Sequence, residues 1–511
     1  MRCHWSWLIC AVLYAAMAAR SGHCQTPAAP LPEGVKAVWD IDKADRQTTP
    51  TRERVSINGL WRWQPAAGQA QEVPAGNWGY FKVPGCWPGI SDYMQKDTQT
   101  VHSHPAWRGE RLGGVTAAWY QREIDVPRKW TGRRIVLRVD YLNSAATVYV
   151  DGKKAGELQF PAGELDLTGA CTPGVKHVLS MLVVAKPFRE VMLSFGDTNA
   201  SRTTRGSVAR RGLCGDVCLV GEPAGARIDE VKVSTSVRKG EITVSAAIKE
   251  LPVESKFTVR AVITDQGRKV KEFTSRTFGA ADLAESRIAV TEPWKAEKLW
   301  DLHTPENTYE VSVALVGQGG EILDAAHPVR FGFREFWIDG RDFFLIGTRI
   351  FLSALPLDNA QVSAAAASYA GARESLRRLK EIGINFVYTH NYGCEPGTHL
   401  GFDEILRAAD DEGVLVALSQ PHFGQYEWRA PDAAEKNGYA HHARFYVRVA
   451  GNHPSVVFYS MSHNSTGYDE DMNPDLIDGI QSARSQWAEG NVRGALAAEA
   501  IVAKLDPGRI V

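Results

Sequence analysis

Two kinds of hydrophobic periodicity divide this chain. As far as about Gly221 apolar and polar residues alternate over short runs broken by turn residues, the pattern of half-buried strands. Arg134-Ile135-Val136-Leu137-Arg138-Val139-Asp140 is one such run. Thr147-Val148-Tyr149-Val150 leads into Asp151-Gly152, and an Asp-Gly pair at that place predicts a tight hairpin turn. Pro223 and Gly225 mark a boundary, after which Ala226 to Arg330 gives about seven short strands, among them Ile242–Ser245 and Phe257–Val262. That number and length predict an immunoglobulin-like sandwich.

From Phe331 the pattern changes. Asp339-Gly340 turns into Phe343-Phe344-Leu345-Ile346-Gly347, and from there strands and helices alternate as in a βα architecture. Leu376, Leu379 and Ile382 fall at helical spacing within Ala372–Gly383, and Gly383–His390 reads as the next strand. Phe402–Glu412 reads as a second helix and Val414–Ser419 as a strand. A third helix precedes Asn452, and the unbroken apolar run Val456–Ser462 predicts a buried parallel strand that carries polar residues at its C-terminal end. The expected units are thus 35–222, 223–330 and 331–511.

Composition adds exclusions. Apolar residues at 44% and charged residues at 23% suit a globular protein, and a net charge of −1 leaves no electrostatic footprint for nucleic acid or an anionic membrane. The 15 Trp are material for cores and for stacking on sugar rings alike. Residues 1–24 read as a signal peptide and leader: Arg2 and His4 precede an apolar run from Trp5 to Ala19, and Ala16-Met17-Ala18 suits cleavage. Cys24 as a lipid-anchored residue is the alternative, although Ser21-Gly22-His23 lacks the usual apolar and small residues. Gln25–Gly34 reads as a linker, and the mature chain is expected to be exported, with no span left to hold it in a membrane.

Export permits disulfides, yet Cys214 and Cys218, four apart on an expected strand, would lie ~13 Å apart, too far to bridge. Buried thiols are expected. No second cysteine pair stands near for zinc, and His441-His442 has no matching ligand, so no metal and no cofactor are expected. Nothing in the sequence speaks to oligomeric state.

The stretch Asn452-His453-Pro454-Ser455-Val456-Val457-Phe458-Tyr459-Ser460-Met461-Ser462-His463-Asn464 resembles the acid/base segment of glycoside hydrolase family 2, the β-galactosidase and β-glucuronidase family. Ala118–Arg122 with Val126-Pro127, Gly212–Leu219, the upstream Val83–Trp87, and Leu299–Pro305 also resemble elements of that family. The resemblance implies a sugar-binding jelly roll, an immunoglobulin-like sandwich and a (β/α)8 TIM barrel, hence a glycan substrate. It also implies an incomplete barrel, because 331–511 is shorter than the ~250 residues of a complete one. The expectation is a chain cut short after four strands, with Leu505–Val511 as the run-up to a fifth, the edge of the fourth open and the family's nucleophile beyond residue 511.

Aligned without gaps, Tyr459 takes the family's Trp place and Asn464 replaces the catalytic Glu. Glycoside hydrolysis normally uses two carboxyls, so the acid must come from elsewhere or be missing. His463 is a candidate substitute because imidazole titrates near neutrality, and Asp469 in the following acidic run is another. Asn464 itself can still hydrogen-bond a sugar. His390, Asn391 and Tyr392 end the second strand where the family reads roughly R-x-S-H-Y, and Ser419 stands in a Glu place on the third. Glu395 and, beyond the third strand, Tyr426 and Trp428 are candidates for a sugar subsite. Two readings remain open: a glycosidase with a non-standard site, and a carbohydrate-binding protein without turnover or a truncated remnant of the enzyme.

Overall fold

The computed structural model describes residues 28–66, 72–87, 101–187, 189–191, 211–357, 368–389, 402–461 and 483–511. The N-terminal unit is built on two antiparallel sheets. One has seven strands, in the order Lys153–Gln159, Ala145–Val150, Lys176–Val184, Ala117–Asp125, Gly59–Pro65, Gly79–Val83, Val101–His102; the other has five and includes Arg134–Val139 and Val217–Glu222. Their inner faces share one core in which Trp61, Trp63, Trp87, Tyr120 and Trp130 are fully buried. The tryptophans of this unit are thus mainly packing. Asp151 (φ 50°) and Gly152 (φ 77°) turn one strand into the next with both central residues left-handed, the geometry that favours Asp-Gly.

One expected strand is two. Gly212–Leu213 pairs with Leu142–Asn143 in a small sheet, whereas Val217–Glu222 belongs to the five-stranded one. Between them the amides of Cys214 and Gly215 both donate to Tyr141 O, at 3.0 and 2.9 Å. The chain bends here against Tyr141, whose backbone nitrogen would lie 2.5 Å from any Cβ at position 215. A straight-strand spacing for Cys214 and Cys218 therefore does not apply, although both sulfurs are buried.

The second unit has eight strands, from Arg227–Ser236 to Val329–Gly332, in two antiparallel sheets around a core of Ile242, Phe257, Ile263, Phe278 and Leu315. Arg52 ties it to the first unit. Its guanidinium donates to both carboxylate oxygens of buried Asp324 and to Ile228 O, the Nε bond being 2.8 Å.

In the third unit the run Phe343–Gly347 is not the first parallel strand. Phe336–Asp339, Asp342–Leu345 and Thr348–Ile350 form an antiparallel meander, turned at Ile346 (φ 48°) and Gly347 (φ 95°). An apolar run specifies burial, not strand direction. The parallel sheet begins at Ala354–Leu357 and continues through Phe386–Thr389, Leu415–Ser419 and Val456–Ser460. Helices Tyr369–Glu381, Phe402–Glu412, Tyr439–Ala450 and Ala483–Leu505 accompany it. Leu376 is buried in the first of these, but Ile382 is 73% exposed, because the helix ends at Glu381 and Gly383 (φ 86°) turns the chain away. The outer edge of Val456–Ser460 is engaged at one point. Ile510 bridges Phe458 in parallel sense, Tyr459 N donates to Ile510 O at 2.7 Å, and Ile510 N donates to Val457 O at 3.2 Å.

Candidate functional site

Parallel pairing, with one register shift between Val416 and Ala417 in the last pair, brings the carboxyl ends of the four strands together. Leu357 pairs with Thr389, and Ser419 with Ser460. In a βα sheet this end carries the chemistry. Its floor is closed by hydrogen bonds: Ser419 N donates to Thr389 Oγ1 at 2.9 Å, Ser419 Oγ donates to Thr389 O, and Gln420 N donates to Ser460 O at 2.8 Å. Thr389, Ser419 and Gln420 are buried. The floor is therefore polar and neutral.

After Gln420 the chain builds an aromatic wall. Tyr426 OH lies 2.7 Å from His442 Nδ1, and Trp428 Nε1 donates to Phe423 O at 2.8 Å. The rings of Tyr426 and Trp428 meet Tyr439 edge-on at 5.0 and 5.2 Å. Burial pushes the Tyr426 and Tyr439 hydroxyls well above the ordinary phenol value, so both stay protonated at neutral pH. Tyr426 is committed to this core. Trp428 is half-buried, with its N–H spent on the backbone and one edge against Gly494 of the last helix. Asn464, His463, Asp469, His390, Asn391, Tyr392 and Glu395 lie outside the described residues, beyond the strands Val456–Ser460 and Phe386–Thr389 that lead toward them.

What sequence reasoning missed is the anchoring role of the residues that hold the sheet in place. Asn452 completes the edge of Arg227–Ser236 by accepting from Val233 N and donating to Val231 O, both at 2.9 Å. Asp410 receives His453 Nδ1 at 2.7 Å and Ser455 N at 3.0 Å. Arg334, buried, donates to Pro454 O and Val456 O, at 2.9 and 2.5 Å. Arg509 donates to Val456 O at 2.9 Å and to the carbonyls of Ala450, Gly451 and His453 at 3.0 to 3.1 Å. Asp506 binds Arg509 at 2.5 Å, Lys232 at 2.9 Å and Tyr459 OH at 2.8 Å. Although burial opposes it, these cations hold the Asp506 carboxyl well below the usual carboxylate range. The Asn-His-Pro-Ser turn is thus an anchor between units. No local signal marked Asp410, which stands in the acidic run Asp410-Asp411-Glu412 at the end of its helix.

A cleft of about 2600 Å³ runs between the two β-units and the helices Phe402–Glu412 and Tyr439–Ala450. None of Leu357, Thr389, Ser419 or Ser460 borders it. Many of its charges are spent on one another, as in Arg54–Asp140 at 2.9 Å, Arg138–Asp140 at 2.7 Å and Lys249–Asp229 at 2.6 Å. Glu404 differs: burial, with Asp403 and Asp216 nearby, pushes its carboxyl up to about 7. The strand ends have the better claim to chemistry, because their polar groups converge on one floor while many of the cleft's charges are paired with one another.

No protein-family profile matches the chain. It is 23% identical over 454 residues to a β-glucuronidase of Paenibacillus borealis, covering 83% of this chain and 70% of that protein. To a β-glucuronidase of Bacteroides fragilis it is 23% identical over 403 residues, with 73% and 54% covered. A relative from Formosa agariphila, 24% identical over 444 residues, is covered over 48% of its length. The chain thus spans roughly half to two thirds of the curated relatives it matches. Among solved structures, a Bacteroides uniformis β-glucuronidase superposes with a TM-score of 0.64 at 20% identity, covering 90% of this chain and 52% of that one. A β-galacturonidase of glycoside hydrolase family 2 from Eisenbergiella tayi gives 0.60 at 16% identity, with 91% and 71% covered. These structural likenesses are likenesses of fold, a β-rich multidomain one.

Proposed function

Taking as premise that the chain is related to glycoside hydrolase family 2, we propose that its protein cleaves O-glycosidic bonds in glycans, with uronic-acid glycosides as the first substrates to try. The observation that carries the reading is the row of strand ends Leu357, Thr389, Ser419 and Ser460, which puts a polar floor where a βα fold does its chemistry. Relatives named β-glucuronidase and β-galacturonidase support the substrate class. In this reading the two-sheet N-terminal unit is a jelly roll, the second unit an immunoglobulin-like sandwich, and the parallel sheet the first part of a TIM barrel. Residues 1–24 serve as an export signal, so the protein works in the periplasm or outside the cell.

His390, Asn391, Tyr392, Glu395 and Trp428 are assigned to the glycan, and Asn464 to the acid/base place, with His463 or Asp469 as the proton donor that Asn464 cannot be. A second reading, a glycan-binding protein without turnover, is favoured by one observation, the amide at 464. Incubating the purified protein with aryl β-glucuronides and β-galacturonides, beside calorimetric titration with the matching disaccharides, separates the two. Phenol release supports the enzyme, saturable heat without release supports the binder, and neither result overturns both.

A further inference from the structure

Cys86 and Cys214 stand apart from the other described thiols. Their sulfurs are 3.3 Å apart. Two backbone bonds clamp the segments that carry them, Gly85 N to Leu213 O at 2.8 Å and Trp87 N to Arg211 O at 3.0 Å. Tyr141 O fixes the Cys214 amide at 3.0 Å. The two segments are therefore tied to each other through their backbones on either side of the sulfurs. Cys218 differs, because its sulfur accepts from Arg54 Nε at 3.2 Å. Both Cys86 and Cys214 also border the large cleft, which has room for a small disulfide of glutathione size.

We infer that Cys86 and Cys214 are a disulfide-forming pair that closes when the chain meets a thiol oxidant. A disulfide needs its sulfurs ~2.05 Å apart, so closure asks for a movement of roughly 1.2 Å, within the reach of side-chain torsions. The thiolate of Cys214, the more exposed of the two, attacks a sulfur of an oxidised small-molecule or protein disulfide. A mixed disulfide forms and one reduced thiol leaves. The Cys86 sulfur, deprotonated, then displaces the second half, so that the Cys86–Cys214 bond forms, two protons depart, and the co-reactant takes up two electrons. The bond would join segments far apart in sequence and lock the surface where Tyr141 stacks on Phe445, at 5.7 Å, between the N-terminal unit and the Tyr439–Ala450 helix. It would stabilise chiefly by restricting the unfolded chain, more so for so long a loop.

The unaltered chain, equilibrated in oxidised and reduced glutathione mixtures, quenched in acid, alkylated and digested without reduction, decides the matter by mass spectrometry. A peptide pair joining Cys86 to Cys214, lighter than its parts by two hydrogens and lost on reduction, is expected to accumulate as the buffer becomes more oxidising. The oxidised form should melt higher by on the order of 5–10 °C, and this redox-dependent shift should vanish in C86S and in C214S. Separate alkylation of both cysteines in the most oxidising buffer would overturn the inference. So would either one pairing with a different cysteine. Because the peptide map uses the native sequence, a variant that failed to fold would not blunt the test.

Discussion

His453 and Asp410 form a charged clamp at the entry to the last parallel strand, with Nδ1 of the imidazole 2.7 Å from a carboxylate oxygen. The other ring nitrogen lies 3.4 Å from Asp403. Burial alone would push the imidazole down, but Asp410 and Asp403 outweigh it and raise His453 to about 9. The same turn holds the second β-unit through Asn452, so the protonation of one histidine bears on how two units stay docked.

A pH dependence follows. His453 gains its proton affinity on folding, so its contribution is fully present below the unfolded value of ~6.5 and is lost as pH climbs through about 9. Thermal melts at pH 6.5 and pH 9.5 should differ by roughly 2–3 kcal/mol of stability from this group. In His453→Gln that part of the alkaline loss should be absent. An unchanged slope in the variant would show that the clamp is not charged at neutrality.

Arg509 gives a sharper structural test. One guanidinium serves carbonyls from Ala450 to Val456 and the Asp506 carboxylate. Lysine keeps the charge but not the planar fork, so Arg509→Lys should cost ~2–4 kcal/mol in denaturant unfolding, and Arg509→Ala should cost more by leaving Asp506 without its main partner. Equal, small losses for both would mean the carbonyls are satisfied by other donors.

The N-terminal core makes a packing prediction. A Cβ at position 221 would sit 2.4 to 2.7 Å from three atoms of the Trp130 ring. Trp130 cannot retreat, because its Nε1 donates to buried Glu53 at 2.7 Å. Gly221→Ala should therefore destabilise by ~1–3 kcal/mol, while the same change at Gly225, whose Cβ would meet nothing, should be nearly neutral. Paired urea titrations of the two variants check this.

How far the sequence could be read depended on how local the cause was. The Phe402–Glu412 helix was legible residue for residue because its apolar spacing and first-turn acids are local signals. The Asp151-Gly152 hairpin was legible for the same reason. Direction was not: Phe343–Leu345 is as apolar as a parallel strand but pairs antiparallel, because the turn at Ile346-Gly347 sends the chain straight back. Long-range partners left no trace either. Asn452 binds Val231 and Val233, 221 and 219 residues away, and nothing near Asn452 announces it. Within the site, the hydrogen bonds between Thr389, Ser419, Gln420 and Ser460 run largely through backbone atoms, which residue types do not encode. The candidate acids came from resemblance alone.

The amide at Asn464 makes the most direct functional prediction, to be measured on the full-length gene product. A general acid contributes ~10²–10⁴ in rate, or ~3–5.5 kcal/mol of barrier, and it matters most when the departing alcohol is a poor leaving group. If Asn464 stands in the acid place and nothing replaces it, aryl glycosides of acidic phenols should be cleaved far faster than alkyl or natural glycosides. Asn464→Glu should then raise turnover of the natural substrates selectively and leave the activated aryl substrates nearly unchanged. If His463 or Asp469 supplies the proton, the gain disappears. His463→Ala or Asp469→Ala would instead lower kcat on poor leaving groups, and only on those. The comparison of leaving groups carries the test, since a merely structural residue would depress both substrate classes alike. Efficient alkyl glycoside cleavage, indifferent to all three substitutions, would remove Asn464 from the acid/base place altogether.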